Sequence, residues 1–108
     1  MGYAWPIAKT RMPRLILTSQ AIDDLERVAN FLVEKSQEAA DRAKAVIAEH
    51  IEKIQRFPTI YRPVQTQKDR REVVIAFGSH GYVMRYHYDA EADTVAITNV
   101  WHQREERT

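Results

Sequence analysis

The chain has 108 residues, of which 44% are hydrophobic and 29% charged, and its formal net charge is +1. This length and balance predict a single soluble domain with one modest core. The near-neutral charge excludes a strong overall basic field for nucleic acid or membrane surfaces, and the absence of cysteine excludes disulfides and thiolate metal sites. Since no apolar run is long enough to cross a bilayer, we expect a cytoplasmic protein.

Residues 1–12 are set apart from the rest of the chain. They contain Trp5 and Pro6 but no acidic residue and no apolar period. Termini of this kind are usually poorly tied down. We therefore predict a flexible extension, or a start codon assigned too early with Met12 as the true first residue, followed by one domain at residues 13–108.

The regular pattern begins with a strand and a helix. The apolar run Arg14–Thr18 predicts the strand, and its last residue, or Ser19 after it, can cap the helix. Asp23 and Asp24 are expected in the first helical turn, where the dipole favours acids. Apolar residues recur at three- and four-residue steps as far as Lys35. The predicted stripe is Ile22, Leu25, Ala29, Leu32 and Val33.

A second helix follows almost at once, with Ser36 as its cap candidate and Phe57-Pro58 at its end. Its apolar residues again recur at helical spacing. They are Ala40, Ala43, Ile47, Ile51 and Ile54. Because the connection between the two helices is so short, they are expected to pack as an antiparallel hairpin.

The second half of the chain predicts a loop and then three strands. The polar stretch 59–70 predicts the loop, and strands are expected at 72–77, 82–88 and 94–101. The segment Gly78-Ser79-His80-Gly81 has turn composition, which assigns its histidine to a turn. Within the middle strand the alternation places the tyrosines on the side of the helices and the basic side chains on the opposite side.

The element order β-α-α-β-β-β predicts an α+β domain. An antiparallel helix hairpin would pack on one face of a small, mainly antiparallel sheet, with the first strand paired beside the last three. The other face of the sheet would stay uncovered. Side chains on that face, Arg85 among them, are therefore the first candidates for function.

Five short segments carry a resemblance to a known family. They are Ala21–Leu25, Phe57-Pro58, Arg71–Val74, Tyr82–Tyr86 and Val100–Glu105. In this order and spacing they resemble the RelE/ParE superfamily of toxin–antitoxin toxins, over nearly all of the chain from Pro13 to Glu106. The resemblance implies a small toxin that is neutralised by a cognate antitoxin and uses no cofactor.

The resemblance implies one of two activities. RelE-like members are ribosome-dependent endonucleases that cleave mRNA, whereas ParE-like members poison DNA gyrase and are not nucleases. Metal-free RNA cleavage needs groups that transfer protons and cations that stabilise the phosphorane. The resemblance matches Arg71, His102 and Arg104 to residues with these roles. Arg85 lies on the strand between them, so the four are predicted to form one basic patch on the open face of the sheet, with catalytic roles in the nuclease alternative.

The charge of the chain favours the ParE-like activity. A nuclease that follows RNA into the ribosome usually carries a strong positive charge, and this chain carries +1. The ParE-like hypothesis is a non-enzymatic inhibitor of gyrase or replication, with no metal. Its target- or antitoxin-binding residues are predicted to be Trp101, His102, Arg104 and Arg107. A third hypothesis is a degenerate toxin that only binds its antitoxin.

Structural roles are alternatives for the same side chains. His102 at a strand end can cap a neighbouring carbonyl. Arg71 and Glu72 can form a pair that stabilises the fold. Arg85 can lie along apolar surface with its charge in water.

Overall fold

The computed structural model describes residues 12–78 and 80–104, except for the side chain of Lys68. Apart from Met12, the predicted extension lies outside the described residues, and so does Arg107. The helices and strands are, in chain order, β1 (Arg14–Leu17), α1 (Ser19–Lys35), α2 (Gln37–Arg56), β2 (Arg62–Val64), β3 (Gln67–Phe77), β4 (His80–Asp89) and β5 (Thr94–His102).

The two helices begin at hydroxyl caps and are joined by a single residue. The Thr18 side chain accepts a hydrogen bond from the backbone N–H of Ala21, and the Ser36 side chain accepts one from Ala39. Each bond satisfies one N–H group that the first helical turn leaves without a partner. Ser36 also ends α1, so the predicted antiparallel hairpin is confirmed.

Within residues 12–78 and 80–104, five strands form one sheet in the order β1-β5-β4-β3-β2. β1 runs parallel to β5, and the other neighbours are antiparallel. The helix hairpin packs on one face, where Ile47 and Ile54 of α2 join Met84 and Tyr86 of β4 in the core. The predicted α+β class is confirmed. Within the described ranges, no helix is long and apolar enough to span a bilayer.

The loop predicted at 59–70 is wrong in part. It contains the short strand β2, and β3 begins at Gln67 instead of Glu72. β2 forms an edge of the sheet, where polar residues and a proline are tolerated because one side of the strand faces water. A strand of this kind has no apolar alternation from which it can be predicted.

The buried face of α1 also differs from the prediction. Its buried residues are Ala21, Asp24, Val28 and Leu32, whereas Ile22 and Val33 of the predicted stripe are each 45% exposed. The polar Asp24 interrupts the true stripe, so a search for apolar residues alone selects a face rotated away from it.

An irregularity in β5 decides which way the end of that strand faces. Arg85 of β4 pairs with Asn99, but the next residue, Tyr86, pairs with Ile97, so Thr98 is an extra residue in β5. Such a bulge reverses the alternation of the side chains that follow it. As a result Trp101 lies on the open face, and His102 lies on the side of the helices.

The buried Tyr86 hydroxyl ties the sheet to the end of α2. It donates a 2.7 Å hydrogen bond to the carbonyl of Pro58, and burial raises the pKa of Tyr86 to about 12. The hydroxyl therefore stays protonated and donates throughout the neutral range. This bond fixes the loop that leads from α2 to β2.

Replacing Tyr86 by Phe is expected to lower the free energy of unfolding by about 1–2 kcal/mol, because the Pro58 carbonyl is left without its buried donor. Urea denaturation measures the change. Tyr88→Phe is the matched control, since the Tyr88 hydroxyl is only partly buried and makes a longer contact of 3.4 Å to Asp93. Equal losses in the two variants would contradict the role assigned to the Pro58 bond.

Candidate functional site

A groove lies between α1 and the ends of β4 and β5. Its volume is about 680 Å³. Its lining consists of Arg27, Val28, Phe31 and Lys35 from α1, His80 and Tyr82 from β4, and His102 and Arg104 from the end of β5 and beyond. We call this the α1–β5 groove.

The α1 wall of the groove follows from helical spacing. Arg27, Phe31 and Lys35 recur every four residues, so their side chains lie above one another on one side of the helix. Phe31 is 56% exposed, which is unusual for a large aromatic ring. The Lys35 ammonium lies 5.2 Å from the centre of the Phe31 ring. This wall therefore combines an accessible aromatic ring with cations.

The sheet wall is a cluster of aromatic rings. The centre of the His102 ring is 5.4 Å from that of Tyr82 and 5.7 Å from that of His80, both in edge-on arrangements. The backbone N–H of Arg104 donates to Nδ1 of His102 at 3.1 Å. When the imidazole is neutral, its proton is therefore on Nε2.

Among the described residues that line the groove, the charged side chains have one sign. Arg27, Lys35 and Arg104 are cationic, and none of these described lining residues is a carboxylate. Arg27 is paired with Asp24 at 2.8 Å, behind the lining. The positive charge that the groove offers to a partner therefore comes mainly from Lys35 and Arg104, and it suits an anionic or acidic group.

Asp24 is fully buried between α1 and β5. Its carboxylate accepts hydrogen bonds from the Val100 N–H at 2.9 Å, from the Gln20 amide at 2.9 Å and from Arg27 at 2.8 Å. Burial acts to raise the pKa of Asp24, but these hydrogen bonds and the Arg27 charge outweigh it and hold the pKa below its ordinary value. Asp24 is thus a charged anchor inside the fold.

The prediction that Asp23 and Asp24 occupy the first turn of α1 is wrong. The helix begins at Ser19 and has no acidic residue in its first turn. Asp24 lies beyond that turn and faces the sheet, where it binds Val100 instead of the N–H groups at the helix start.

Arg85 lies on the open face, as predicted, but it is engaged there. It lies opposite Glu72 in the β3–β4 ladder. Its Nε donates to the Glu72 carboxylate at 2.8 Å, and a second, shorter hydrogen bond joins its Nη2 to the same oxygen. The guanidinium also lies 5.2 Å from the centre of the Trp101 ring. Its charge is therefore balanced within the sheet.

Arg71 serves the loop that follows α2. It lies opposite Tyr86 in the ladder, on the side of the helices. Its Nη1 donates to the carbonyl of Tyr61 at 2.7 Å and more weakly to that of Thr59 at 3.4 Å. These contacts hold the backbone before β2. The expected pair with Glu72 does not form, because Glu72 points to the opposite face and binds Arg85.

The predicted single patch of Arg71, Arg85, His102 and Arg104 on the open face is wrong. His102 and Arg104 line the α1–β5 groove together, Arg71 lies on the same side of the sheet but in the region of the α2–β2 loop, and Arg85 is on the opposite face. The bulge at Thr98 is the physical cause for His102, because it turns the end of β5 toward the helices.

Two residues differ in the structure from their predicted roles, and two further residues join the candidate site. Trp101 is 8% exposed and so presents little surface to a partner. His80, predicted in a turn, is the first residue of β4 and lines the groove. Phe31 and Lys35 were not predicted as site residues. A phenylalanine that falls outside the apolar stripe of α1 is the signal that identifies Phe31.

Metal chemistry has no evident ligand set in the part of the chain that the structure describes. No group of three or more His, Cys, Asp or Glu side chains there is arranged to hold an ion. His80 and His102 are close enough to share a ligand, but two imidazoles leave a metal's coordination incomplete.

Comparison with known proteins identifies the family. The sequence profile described as "ParE toxin of type II toxin-antitoxin system, parDE" matches residues 15–107. Two toxins of Caulobacter vibrioides are similar in sequence. Toxin RelE3 is 30% identical over 96 residues, covering 89% of this chain and 100% of the relative. Toxin RelE1 is 29% identical over 93 residues, covering 86% and 96%.

Two solved structures share the fold. The RelBE2 toxin–antitoxin complex of Mycobacterium tuberculosis matches with a TM-score of 0.61 at 20% identity, over 91% of this chain and 99% of that one. The chromosomal ParDE system of P. aeruginosa matches with a TM-score of 0.66 at 18% identity, over 84% and 96%. The profile match over residues 15–107, together with the 30% identity to Toxin RelE3, shows that the chain belongs to the ParE toxin family of type II toxin–antitoxin systems, within the RelE/ParE superfamily.

Proposed function

We propose that this protein is a toxin that acts by binding instead of by catalysis. In this proposal it inhibits DNA gyrase, in the manner of ParE, and a cognate antitoxin keeps it inactive. The family profile supports this assignment, and both solved relatives come from toxin–antitoxin systems.

The observation that carries the proposal is the engagement of Arg71 and Arg85. Cleavage of RNA without a metal needs cations that converge on one phosphorane. Here the two arginines lie on opposite faces of the sheet, with Arg85 bound to Glu72 and Arg71 bound to backbone carbonyls. Recruiting either one to a phosphate would break a contact of the fold. A binding function makes no such demand.

The α1–β5 groove is the surface that we assign to the target. It contains His102 and Arg104 of the predicted binding residues, and the structure adds Phe31 and Lys35. An aromatic ring beside cations recognises an acidic segment that carries an apolar side chain. Trp101 supports this end of β5 from the open face through its contact with Arg85.

A second function, RNA cleavage in the manner of RelE, is favoured by one feature of the same groove. The imidazoles of His80 and His102 lie side by side with Arg104 on the same lining. Two imidazoles and a cation are able to accept a proton, return a proton and stabilise a phosphorane. The names of the two Caulobacter relatives, RelE3 and RelE1, agree with this alternative.

Induction of the toxin in cells without antitoxin separates the functions. A gyrase inhibitor is expected to cause DNA breaks, an SOS response and filamentation while messages stay intact. Rapid arrest of translation with cut messages and no DNA damage would overturn the proposal and support RNA cleavage. Growth without either response, with antitoxin binding retained, would overturn both and support the degenerate toxin.

Charge reversal in the groove tests the assigned surface. Lys35→Glu and Arg104→Glu are each expected to weaken binding to purified gyrase by about tenfold or more, since like charges then oppose the acidic partner. Surface plasmon resonance at fixed salt measures the change. Lys44→Glu is the matched control, because Lys44 is exposed on α2 and does not line the groove. Equal weakening of gyrase binding in all three variants would mean that the α1–β5 groove is not the surface that binds the target.

A further inference from the structure

The edge of β5 that faces away from β4 has different hydrogen-bonding partners along its length. β1 pairs with β5 only from Thr94 to Ile97. At the end of this pairing, the N–H of Thr18 donates to the Ile97 carbonyl at 3.1 Å, and the Thr18 hydroxyl makes contacts of 3.1 and 3.3 Å to the carbonyls of Ile97 and Thr98. Beyond Thr98 the described residues contain no strand beside this edge of β5. Its backbone groups there must find other partners.

Asp24 and Arg27 take the place of the missing strand at Val100. The Asp24 carboxylate accepts from the Val100 N–H at 2.9 Å, and the Arg27 guanidinium donates to the Val100 carbonyl at 3.3 Å. The two side chains are also joined to each other at 2.8 Å. Both polar groups of one β5 residue are therefore held by a single ion pair on α1.

The Asp24–Arg27 ion pair, bound to Val100, joins the two walls of the α1–β5 groove. Val100 lies two residues before His102, so fixing the orientation of its peptide groups fixes the side on which the His102 ring emerges. Arg27 itself lines the groove, one helical turn before Phe31. The bulge at Thr98 lies two residues before Val100 and increases the local twist of β5. The ion pair holds the twisted end of the strand from the α1 side, opposite its ladder with β4.

We propose that Asp24 is a positioning residue of the target-binding groove. By holding Val100, directly and through Arg27, it sets the distance and orientation between the α1 wall and the His102 and Arg104 side chains. This inference rests on the function proposed above for the groove. Asp24 does not itself contact the target protein, because it is fully buried behind the residues that line the groove.

The test compares Asp24→Asn with Asp23→Asn in the full-length chain. Asparagine keeps an oxygen that can accept from Val100 but removes the charge that holds Arg27. The neighbouring Asp23 is exposed, so its variant controls for the loss of one acidic charge on α1. The first readout is the NMR signal of the His102 ring protons, which the edge-on Tyr82 and His80 rings shift by their ring currents. The second readout is the affinity for purified gyrase.

Asp24→Asn is expected to move the His102 ring signals and to weaken gyrase binding by about tenfold, at a temperature where both variants are fully folded. Asp23→Asn is expected to change neither. A role in stability alone would lower Tm but leave the His102 signals and the affinity of the folded protein unchanged, and that result would overturn the inference. If Asp24→Asn does not fold, Gln20→Ala serves instead, because it removes one donor to Asp24 and lies outside the groove.

Failure of the proposed function gives a different result. If the wild-type chain does not bind gyrase at all, that function is wrong, and the His102 signals alone decide whether Asp24 positions the groove. If the wild type binds gyrase and Asp24→Asn binds equally well with unmoved signals, only the positioning role is wrong.

Discussion

Replacing Gly81 by Ala is expected to destabilise the protein by about 3 kcal/mol, at the upper end of the range for overpacked positions. A Cβ atom at Gly81 would lie 2.5 Å from the carbonyl oxygen of Ile75 and 3.0 Å from the Gln103 side-chain oxygen. The Ile75 oxygen belongs to the backbone of β3, so it cannot move aside without disturbing the ladder between β3 and β4. Guanidinium denaturation of the purified chain measures the loss.

The same substitution should also disturb the α1–β5 groove. The Gly81 carbonyl accepts a 2.9 Å hydrogen bond from the N–H of Gln103, which lies between His102 and Arg104. We therefore expect Gly81→Ala to shift the NMR signals of both walls of the groove. Gly78→Asn is the control, because Gly78 has a φ of 64° and open space around it, and asparagine tolerates that conformation. A loss as large at Gly78 as at Gly81 would show that crowding against Ile75 is not the cause.

The periodic elements of this fold could be predicted from the sequence, because burial imposes a spacing on their residues. The antiparallel hairpin of α1 and α2 follows from two apolar stripes with only Ser36 between them. The alternation in β4 places Met84 and Tyr86 in the core and Arg85 on the open face, and the structure agrees. These signals are strong because one misplaced residue would put an apolar side chain in water.

Features that depend on a partner far along the chain could not be predicted in the same way. The local sequence predicts Asp24 to be an acidic residue at the start of a helix. Its observed role is to accept a hydrogen bond from the N–H of Val100, which lies 76 residues further along the chain. β2 has no alternation of apolar and polar residues, and it forms because its backbone pairs with that of β3. Both are set by tertiary contacts that no local pattern contains.

The bulge at Thr98 had a local signal that strict alternation overlooks. The apolar core residues of β5 are Val95, Ile97 and Val100, so the last step is three residues instead of two. A step of three inside a strand indicates one extra residue. It also predicts that His102, and not Trp101, emerges on the side of the helices. The position of His102 in the candidate site thus depends on a single inserted residue, and strict alternation along β5 places His102 on the wrong face.

Asp24→Ala is expected to lower the free energy of unfolding at neutral pH by about 3 kcal/mol, because the buried Val100 N–H loses its acceptor and Arg27 loses its ion pair. The cost is below that of a fully buried pair, since the Arg27 side chain is 45% exposed. Asp23→Ala on the exposed side of α1 is the control and should change stability by less than about 0.5 kcal/mol. Urea titrations at several pH values measure both variants.

The pH dependence of this loss has a definite sign. The folded-state pKa of Asp24 is held below its ordinary value by the hydrogen bonds from Val100, Arg27 and Gln20, which outweigh the opposing effect of burial. The stability that its charge contributes is therefore fully present above the unfolded pKa of about 4 and is lost as the pH falls through the folded value. The difference between wild type and Asp24→Ala should narrow below pH about 4. A difference that stays constant down to the acid limit would mean that the Asp24 charge does not stabilise the fold, and that its hydrogen bond to Val100 acts equally well in the protonated form.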